Sequence, residues 1–227
     1  VMKLPECEYD CKDMSIMFAT SQGNVRRNSL MDFVNVQSNG KIAMKLDEGD
    51  KLINVRICHE DNDIMLAARS GKCIRFPVTD VRVFVGRNST GVRGIKLAEG
   101  DEVISMSILL HSDATSEERD EYARIASAIK RISAERGDDS CVSPEDTGLL
   151  NVLTTEKYKE MAEREQFILS VTSTGYGKRT SSYEYRVTGR GGQGIGNMEM
   201  SARNKEIVSS FPIEDDNQIM MVTDGGK

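Results

Sequence analysis

Tryptophan is absent and only 5% of the residues are aromatic, so any core has to be assembled from Ile, Val, Leu and Met. No apolar run approaches the roughly 20 residues that a membrane helix needs; Ile104 to Leu110 is among the longest, and serine interrupts it. No membrane partner is expected. The opening residues, Val-Met-Lys-Leu-Pro-Glu-Cys-Glu, show no basic stretch followed by an apolar one, which argues against a secretion signal. They also begin without Met at position 1, and the chain is read as a piece of a longer protein. Histidine is limited to the isolated His59 and His111. The odd, scattered set Cys7, Cys11, Cys58, Cys73 and Cys141 has no second pair at zinc-site spacing, which favours reduced structural thiols over a metal centre or a disulfide. There is no Walker phosphate-binding pattern.

What the chain does have is an internal period. Ile16-Met17 precedes Gly23 and Arg27; Ile64-Met65 precedes Gly71 and Arg75; Ile168-Leu169 precedes Gly175 and Arg179; Ile219-Met220 precedes Gly226. Each reads as an apolar strand, a glycine turn and, in the three complete copies, a return strand with an arginine four residues beyond the glycine. A second turn also repeats, as Glu48-Gly49-Asp50 and Glu99-Gly100-Asp101. In the first copy it is expected to join strands at Ile42 to Leu46 and Leu52 to Ile57. Four short strands in about 50 residues, punctuated by glycine, indicate a propeller-type blade.

Blade-like repeats are placed at about 14–63, 64–111 and 165–217, with partial repeats at 1–13 and 218–227. Residues 112 to 164 break the pattern. Thr115 to Glu118 is a capping box, after which Tyr122, Ile125, Ile129 and Ile132 fall on one helical face up to Gly137. A shorter helix is expected over Glu156 to Arg164, capped by Thr155. This is a helical insertion between blades, and its apolar stripe is expected to pack on the parent domain.

The net charge of −6 is unevenly spread. The insertion holds 13 acids and 8 bases, and residues 1 to 15 hold 4 and 2, leaving the repeats with 19 acids and 20 bases. The acids of a repeat gather at turns, such as Asp47-Glu48-Asp50 and Glu60-Asp61-Asp63. The bases lie on the return strand and near the second Gly-rich segment: Arg26, Arg27, Lys41 and Lys45; then Lys72, Arg75, Arg87, Arg93 and Lys96; then Lys178, Arg179, Arg186 and Arg190. Arranged radially, such a set becomes a basic rim suited to a phosphate backbone. Solvated charges that guard strand edges against pairing explain it as well.

Three segments carry a specific resemblance: Ile-Met-Phe-Ala-Thr-Ser-Gln-Gly-Asn-Val-Arg-Arg (16–27), Asn-Ser-Thr-Gly-Val-Arg-Gly-Ile-Lys-Leu-Ala-Glu-Gly-Asp (88–101) and Ser-Thr-Gly-Tyr-Gly-Lys-Arg-Thr (173–180). With Gln-Ile-Met-Met-Val-Thr-Asp-Gly-Gly (218–226), they resemble the C-terminal domain of the bacterial DNA gyrase A protein. The resemblance implies an all-β fold, a β-pinwheel of four-stranded blades, six in the full domain, whose strands interleave between neighbours. It also implies that the basic perimeter binds and wraps double-stranded DNA, in support of negative supercoiling. The implied partners are the remainder of gyrase A and the separate gyrase B protein, in the bacterial cytoplasm. Strand cleavage would use a tyrosine of another domain, and ATP and Mg would be bound elsewhere in the parent enzyme, leaving this chain with neither cofactor nor catalytic residue.

The family's Gln-Arg-Arg-Gly-Gly-Lys/Arg-Gly box is missing from its expected place before residue 16. A degenerate copy is read at Gly189, Arg190, Gly191, Gly192, Gln193 and Gly194, where backbone N–H groups could approach a phosphate; a plain Gly-rich blade turn is the other reading. The C-terminal domain of topoisomerase IV and a propeller-like protein-interaction module stand as alternatives.

Overall fold

The glycine turns at Gly23, Gly71 and Gly175 each join an antiparallel strand pair. The computed structural model describes residues 11–34, 40, 42–136, 142–223, 225 and 226, so Lys41, Gly137, Cys7 and Cys141 lie outside the described residues. β1 (Ser15–Thr20) and β2 (Asn24–Ser29) form the first hairpin, and β3 (Leu52–Cys58) pairs with the other edge of β1. β4 (Asn62–Ala68), β5 (Lys72–Pro77) and β7 (Val103–Leu110) repeat this order, with the two-residue β6 (Val92–Arg93) lying between β5 and β7 in the chain. β8 (Phe167–Thr172), β9 (Gly177–Ser181) and β11 (Ile207–Ile213) do so again, with β10 (Ile195–Gly196) between β9 and β11.

The sheets do not coincide with the sequence repeats. Their strand orders are β3-β1-β2-β6, β10-β5-β4-β7 and β11-β8-β9. The first two blades each take their fourth strand from the following repeat: β6 pairs with β2, and β10 with β5. This is the interleaving of strands between neighbouring blades that the resemblance implies: β6 joins the preceding blade rather than the one that holds β7. Ile42 to Leu46, expected as a strand, form none; β3 finds its partner in β1.

The exchange depends on a close approach that only glycine permits. Gly91 (φ 89°) and Gly194 (φ 73°) stand just before the exchanged strands. A Cβ at Gly91 would collide with the Val25 carbonyl, and one at Gly194 with the Cys73 carbonyl. The incoming chain then locks on: Gly94 N–H donates to Gly23 O at 2.8 Å, and Asn197 N–H to Gly71 O at 2.8 Å.

Because blades stack face to face, their central strands are buried on both sides. Every residue of β1 and β4 is buried. Ile64 and Leu66 of β4 pack with Met17, Ala19 and Val25 of the first blade, while Met65 and Ala67 pack with Ile168 and Tyr185 of the third. Full burial of such a side chain stabilises by about 1.5–3 kcal/mol. The third strands face one another, β3 against β7 and β7 against β11. They line a 460 Å³ cavity with Asn54, Ser105, Ser107 and Ser209 among its walls. The blades therefore converge on that edge, and the exchanged strands β6 and β10, at the opposite edge, define the outer perimeter.

Two helices stand between β7 and β8: α1 (Ser116–Arg136) and α2 (Thr155–Arg164). The capping box closes α1 reciprocally, with Thr115 N–H on Glu118 Oε2 at 2.7 Å and Glu118 N–H on Thr115 Oγ1 at 3.2 Å. The cap of α2 is Thr154 rather than Thr155, since Thr154 is extended and its side chain accepts from Lys157 N–H. Tyr122, Ile125, Leu153, Tyr158 and Met161 cluster around Tyr183 of the third repeat, and the Tyr183 hydroxyl donates to Met161 O at 2.8 Å. Most of the apolar stripe thus packs between α1, α2 and the segment joining them, with Tyr183 as its contact on the parent domain.

Candidate nucleic-acid interface

The arginines that define the period are not equivalent at the surface. Arg27 and Arg75 are 4% and 3% exposed, and Arg26 is fully buried. Arg27 donates to Ser15 Oγ (2.9 Å) and Glu60 Oε1 (2.7 Å). Arg75 donates to Asp63 Oδ2 (2.8 Å), Ser182 O (2.7 Å) and Leu110 O (2.8 Å). Arg26 reaches across to the next repeat, to Gly86 O (2.7 Å), Arg87 O (2.6 Å) and Ser89 O (3.1 Å). Burial, with Arg87 nearby, pulls its pKa below the ordinary arginine value.

These three side chains are staples of the fold, which corrects their placement on an exposed rim. The physical reason is the stacking of blades, which leaves a strand arginine no outer face; it must find acceptors inside, and planar guanidinium forks do so well. Arg179 occupies the same position in the third blade but is exposed, its guanidinium 3.9 Å from the Phe167 ring centroid and bonded to Asp215 Oδ1 at 2.5 Å.

The other expected bases fall outside. Lys45, Lys72, Arg93, Lys96, Lys178, Arg186 and Arg190 are exposed, and Arg87 is half-buried with a bond to Ile42 O at 3.3 Å. Three of them meet at one seam. Arg190 donates from Nη1 to Arg93 O (3.0 Å) and from Nε to Asp80 O (2.9 Å). Gly191 N–H donates to Gly94 O at 2.6 Å, and Lys96 N–H to Gly192 O at 2.8 Å. The Gly-rich segment of residues 189–194, including exposed Gln193, therefore runs beside the exchanged strand β6. It gathers Arg93 and Lys96 of the second repeat and Arg190 of the third on the perimeter. Lys72 and Lys178, from adjacent blades, both lie near the buried Cys73.

The inward acids are structural partners that their sequence position at turns concealed. Asp63 is fully buried and accepts from Arg75 while its other oxygen meets His111 Nδ1 at 2.7 Å. That hydrogen bond raises the His111 pKa above the ordinary imidazole value, with Asp113 adding a smaller push. Cys58 and Cys73 are free thiols and, like Cys11, buried; burial drives the Cys58 thiol up to about 11 and Cys73 to about 12, so neither is a thiolate at neutral pH. Among the described residues no cluster of three or more His, Cys, Asp or Glu could hold a metal, and no helix is long and apolar enough to cross a membrane.

Antiparallel blades radiating from a common edge, each of the first two closed on its outside by a strand from the next repeat, define a β-pinwheel, a propeller-type architecture. The sequence match is specific. Residues 15–59, 62–109 and 166–211 match the family described as DNA gyrase C-terminal domain, beta-propeller. These segments make up more than half of the chain, which belongs to that family. The DNA gyrase A protein of Granulibacter bethesdensis is 49% identical over 240 residues, covering all of this chain and 25% of the relative. Gyrase A of Rickettsia bellii is 48% identical over 227 residues, and that of Escherichia coli 30% over 223. The chain thus spans about a quarter or less of these relatives. Among solved structures, the C-terminal domain of DNA topoisomerase IV superposes with a TM-score of 0.61 at 17% identity, covering 89% of this chain and 47% of that one. The E. coli ParC C-terminal domain gives 0.51 at 10% identity, covering 89% and 63%. At these identities the structural likeness speaks to fold alone.

Proposed function

We propose that this chain binds and bends duplex DNA along its outer perimeter, as the non-catalytic C-terminal part of a bacterial gyrase A protein. The observation that carries this reading is the seam at which strand exchange brings Arg93, Lys96 and Arg190 from two repeats onto one exposed edge. Exposed cations at the junction of adjacent blades offer a duplex successive phosphate contacts without reading bases. Smooth bending of a 20–30 bp site costs on the order of 1–6 kcal/mol, which several such contacts offset. The wrapped segment would then be handed to the cleavage core in the remainder of gyrase A, with ATP and Mg chemistry supplied there and by gyrase B in the bacterial cytoplasm. Gyrase is preferred over topoisomerase IV because gyrase A relatives align over the whole chain at up to 49% identity.

Titration of the 227-residue chain with a duplex at rising salt tests the proposal. Each neutralised phosphate contributes about −0.9 to the slope of log affinity against log salt. A steep slope is expected; no binding, or a flat salt response, would point instead to a protein-interaction module.

A further inference from the structure

The turn ends of the three blades carry opposite charge. In each repeat one backbone bond fixes the equivalence: Ser21 N–H donates to Lys51 O (2.8 Å), Arg69 N–H to Glu102 O (2.9 Å) and Ser173 N–H to Glu206 O (3.0 Å). The residue just before that acceptor is Asp50 in the first blade, Asp101 in the second and Lys205 in the third. Asp50 closes its turn by accepting from Ser21 Oγ (2.8 Å) and Gln22 N–H (2.9 Å). Asp101 does so from Ser70 N–H (3.0 Å) and Ser70 Oγ (2.6 Å). A lysine can accept neither bond, and the third turn is closed another way, by Thr174 Oγ1 donating to Arg203 O at 2.7 Å.

The replacement has a conformational cost. Lys205 holds φ at 28°, and it is the one non-glycine residue with positive φ among those described. Beside it the Arg203 guanidinium lies 4.2 Å from the ring centroid of Tyr176, itself 43% exposed. Among the described residues neither the Arg203 guanidinium nor the Lys205 ammonium has an acidic or hydrogen-bonding partner, although both are exposed. The acids of the same segment do not neutralise them: Glu206 pairs with Arg69 at 3.8 Å, and Glu199 is joined to the turn only through its carbonyl, to Asn204.

We propose that this turn, through Arg203 and Lys205 with Tyr176 as the platform for Arg203, is a second contact for the phosphate backbone of duplex DNA, distinct from the perimeter seam. The proposal rests on the perimeter reading and adds a direction to it. Stacking pre-orders Arg203, so less rotamer freedom is lost on gripping a phosphate. The turns of the first two blades, with Asp47, Glu48 and Asp50 and with Glu99, Asp101 and Glu102, repel a phosphate backbone from that face. The third admits it. The chain leaving the perimeter strand β10 crosses the second blade's turn, where Met198 N–H meets Gly71 O at 3.3 Å, and continues to Arg203. A duplex held by both sites runs from the seam between the first two blades to the turn end of the third, obliquely to the perimeter.

The test compares duplex binding across a salt series for the 227-residue chain, Lys205→Gly, Arg203→Ala with Lys205→Gly, and Arg93→Glu with Lys96→Glu. Glycine suits the positive φ, so Lys205→Gly should melt at or above the parent temperature while losing one phosphate contact. Its salt slope should fall by about 0.9, and that of the double turn variant by about 1.8. Turn variants that keep the parent affinity and slope, while the perimeter variant loses both, would overturn this contact and leave the perimeter reading intact. A parent chain that does not bind duplex at all would overturn both.

Discussion

The Arg75 Nε meets Asp63 Oδ2 at 2.8 Å with the two side chains 2% and 0% exposed. A pair so buried cannot be judged by its Coulomb attraction alone, because both ions have been taken out of water. What makes it tenable is the set of further acceptors around the guanidinium. Arg75 also reaches Ser182 O in the third repeat and Leu110 O at the end of β7, so one side chain ties β4, β5, β7 and the neighbouring blade.

Removing one partner should therefore be severe. Arg75→Leu leaves the Asp63 carboxylate buried beside His111 and orphans two carbonyls. A loss of about 3–5 kcal/mol is expected, read as a drop in the denaturant midpoint. Arg75→Leu combined with Asp63→Leu should recover a large part of it; a double variant as unstable as the single one would mean that the carbonyl bonds, not the ion pair, carry the effect.

Strand exchange makes its own demand. Gly91→Ala forces a Cβ against the Val25 carbonyl at a φ of 89°, and the shift needed to relieve it pulls β6 away from β2. The expected cost is about 1–3 kcal/mol, together with faster amide exchange at Val92 and Arg93. Gly100→Ala is the useful contrast. Gly100 also has a positive φ, but no atom lies within 4 Å of its would-be Cβ, so any destabilisation there should leave β6 protected.

The hairpins, their glycine turns, the capping box of α1 and the register of the repeating arginine were legible because each is a local pattern. Two things were not. Strand exchange leaves no local mark, since Gly91-Val92-Arg93 reads as a strand whichever neighbour it joins; the family resemblance implied the interleaving, and the forced approach to Val25 is what fixes it in space. Nor could residue alternation assign Arg27 and Arg75, because β2 and β5 are buried on both faces and parity carries no information there. The clue was the acids at Glu60 and Asp63, which stand at turns in the sequence yet supply the buried guanidinium acceptors in space.

His111 gives the chain a pH dependence of known sign. Its pKa is raised in the folded state by the Asp63 hydrogen bond. The stabilisation is therefore fully present below the unfolded value of about 6.5 and is lost as pH rises through the folded value. Stability should decline from mildly acidic to mildly alkaline pH in the parent and much less in His111→Gln, as measured by denaturation on both sides of neutrality. Equal slopes would remove His111 from the account.

Glu121 works with the opposite sign. Its carboxylate is fully out of solvent and accepts from the N–H groups of Asn151 (2.8 Å), Val152 (2.9 Å) and Leu153 (2.9 Å). Those bonds, Asn151 first, lower its pKa. Their contribution is present above the unfolded value of about 4.3 and is lost as pH falls through the folded one. In Glu121→Gln, amide exchange of residues 151–153 should accelerate at neutral pH, and the acid dependence of that exchange should vanish.

The two populations of cations should part company in a single experiment. Arg93 and Lys96 keep their charged ends exposed and lend the fold only backbone bonds, so Arg93→Glu with Lys96→Glu should cost little stability. It should weaken duplex binding steeply at low salt and flatten the salt slope. Arg26→Lys should do the reverse. A single ammonium cannot span the carbonyls of Gly86, Arg87 and Ser89 as the guanidinium fork does. About 1–3 kcal/mol of stability should go with the unsatisfied carbonyls, while duplex affinity measured on the folded protein stays within a few-fold of the parent. Sequence alone places Arg26, Arg93 and Lys96 on the same rim. If Arg26→Lys abolished binding without destabilising the chain, the division between buried staple and exposed contact would be wrong.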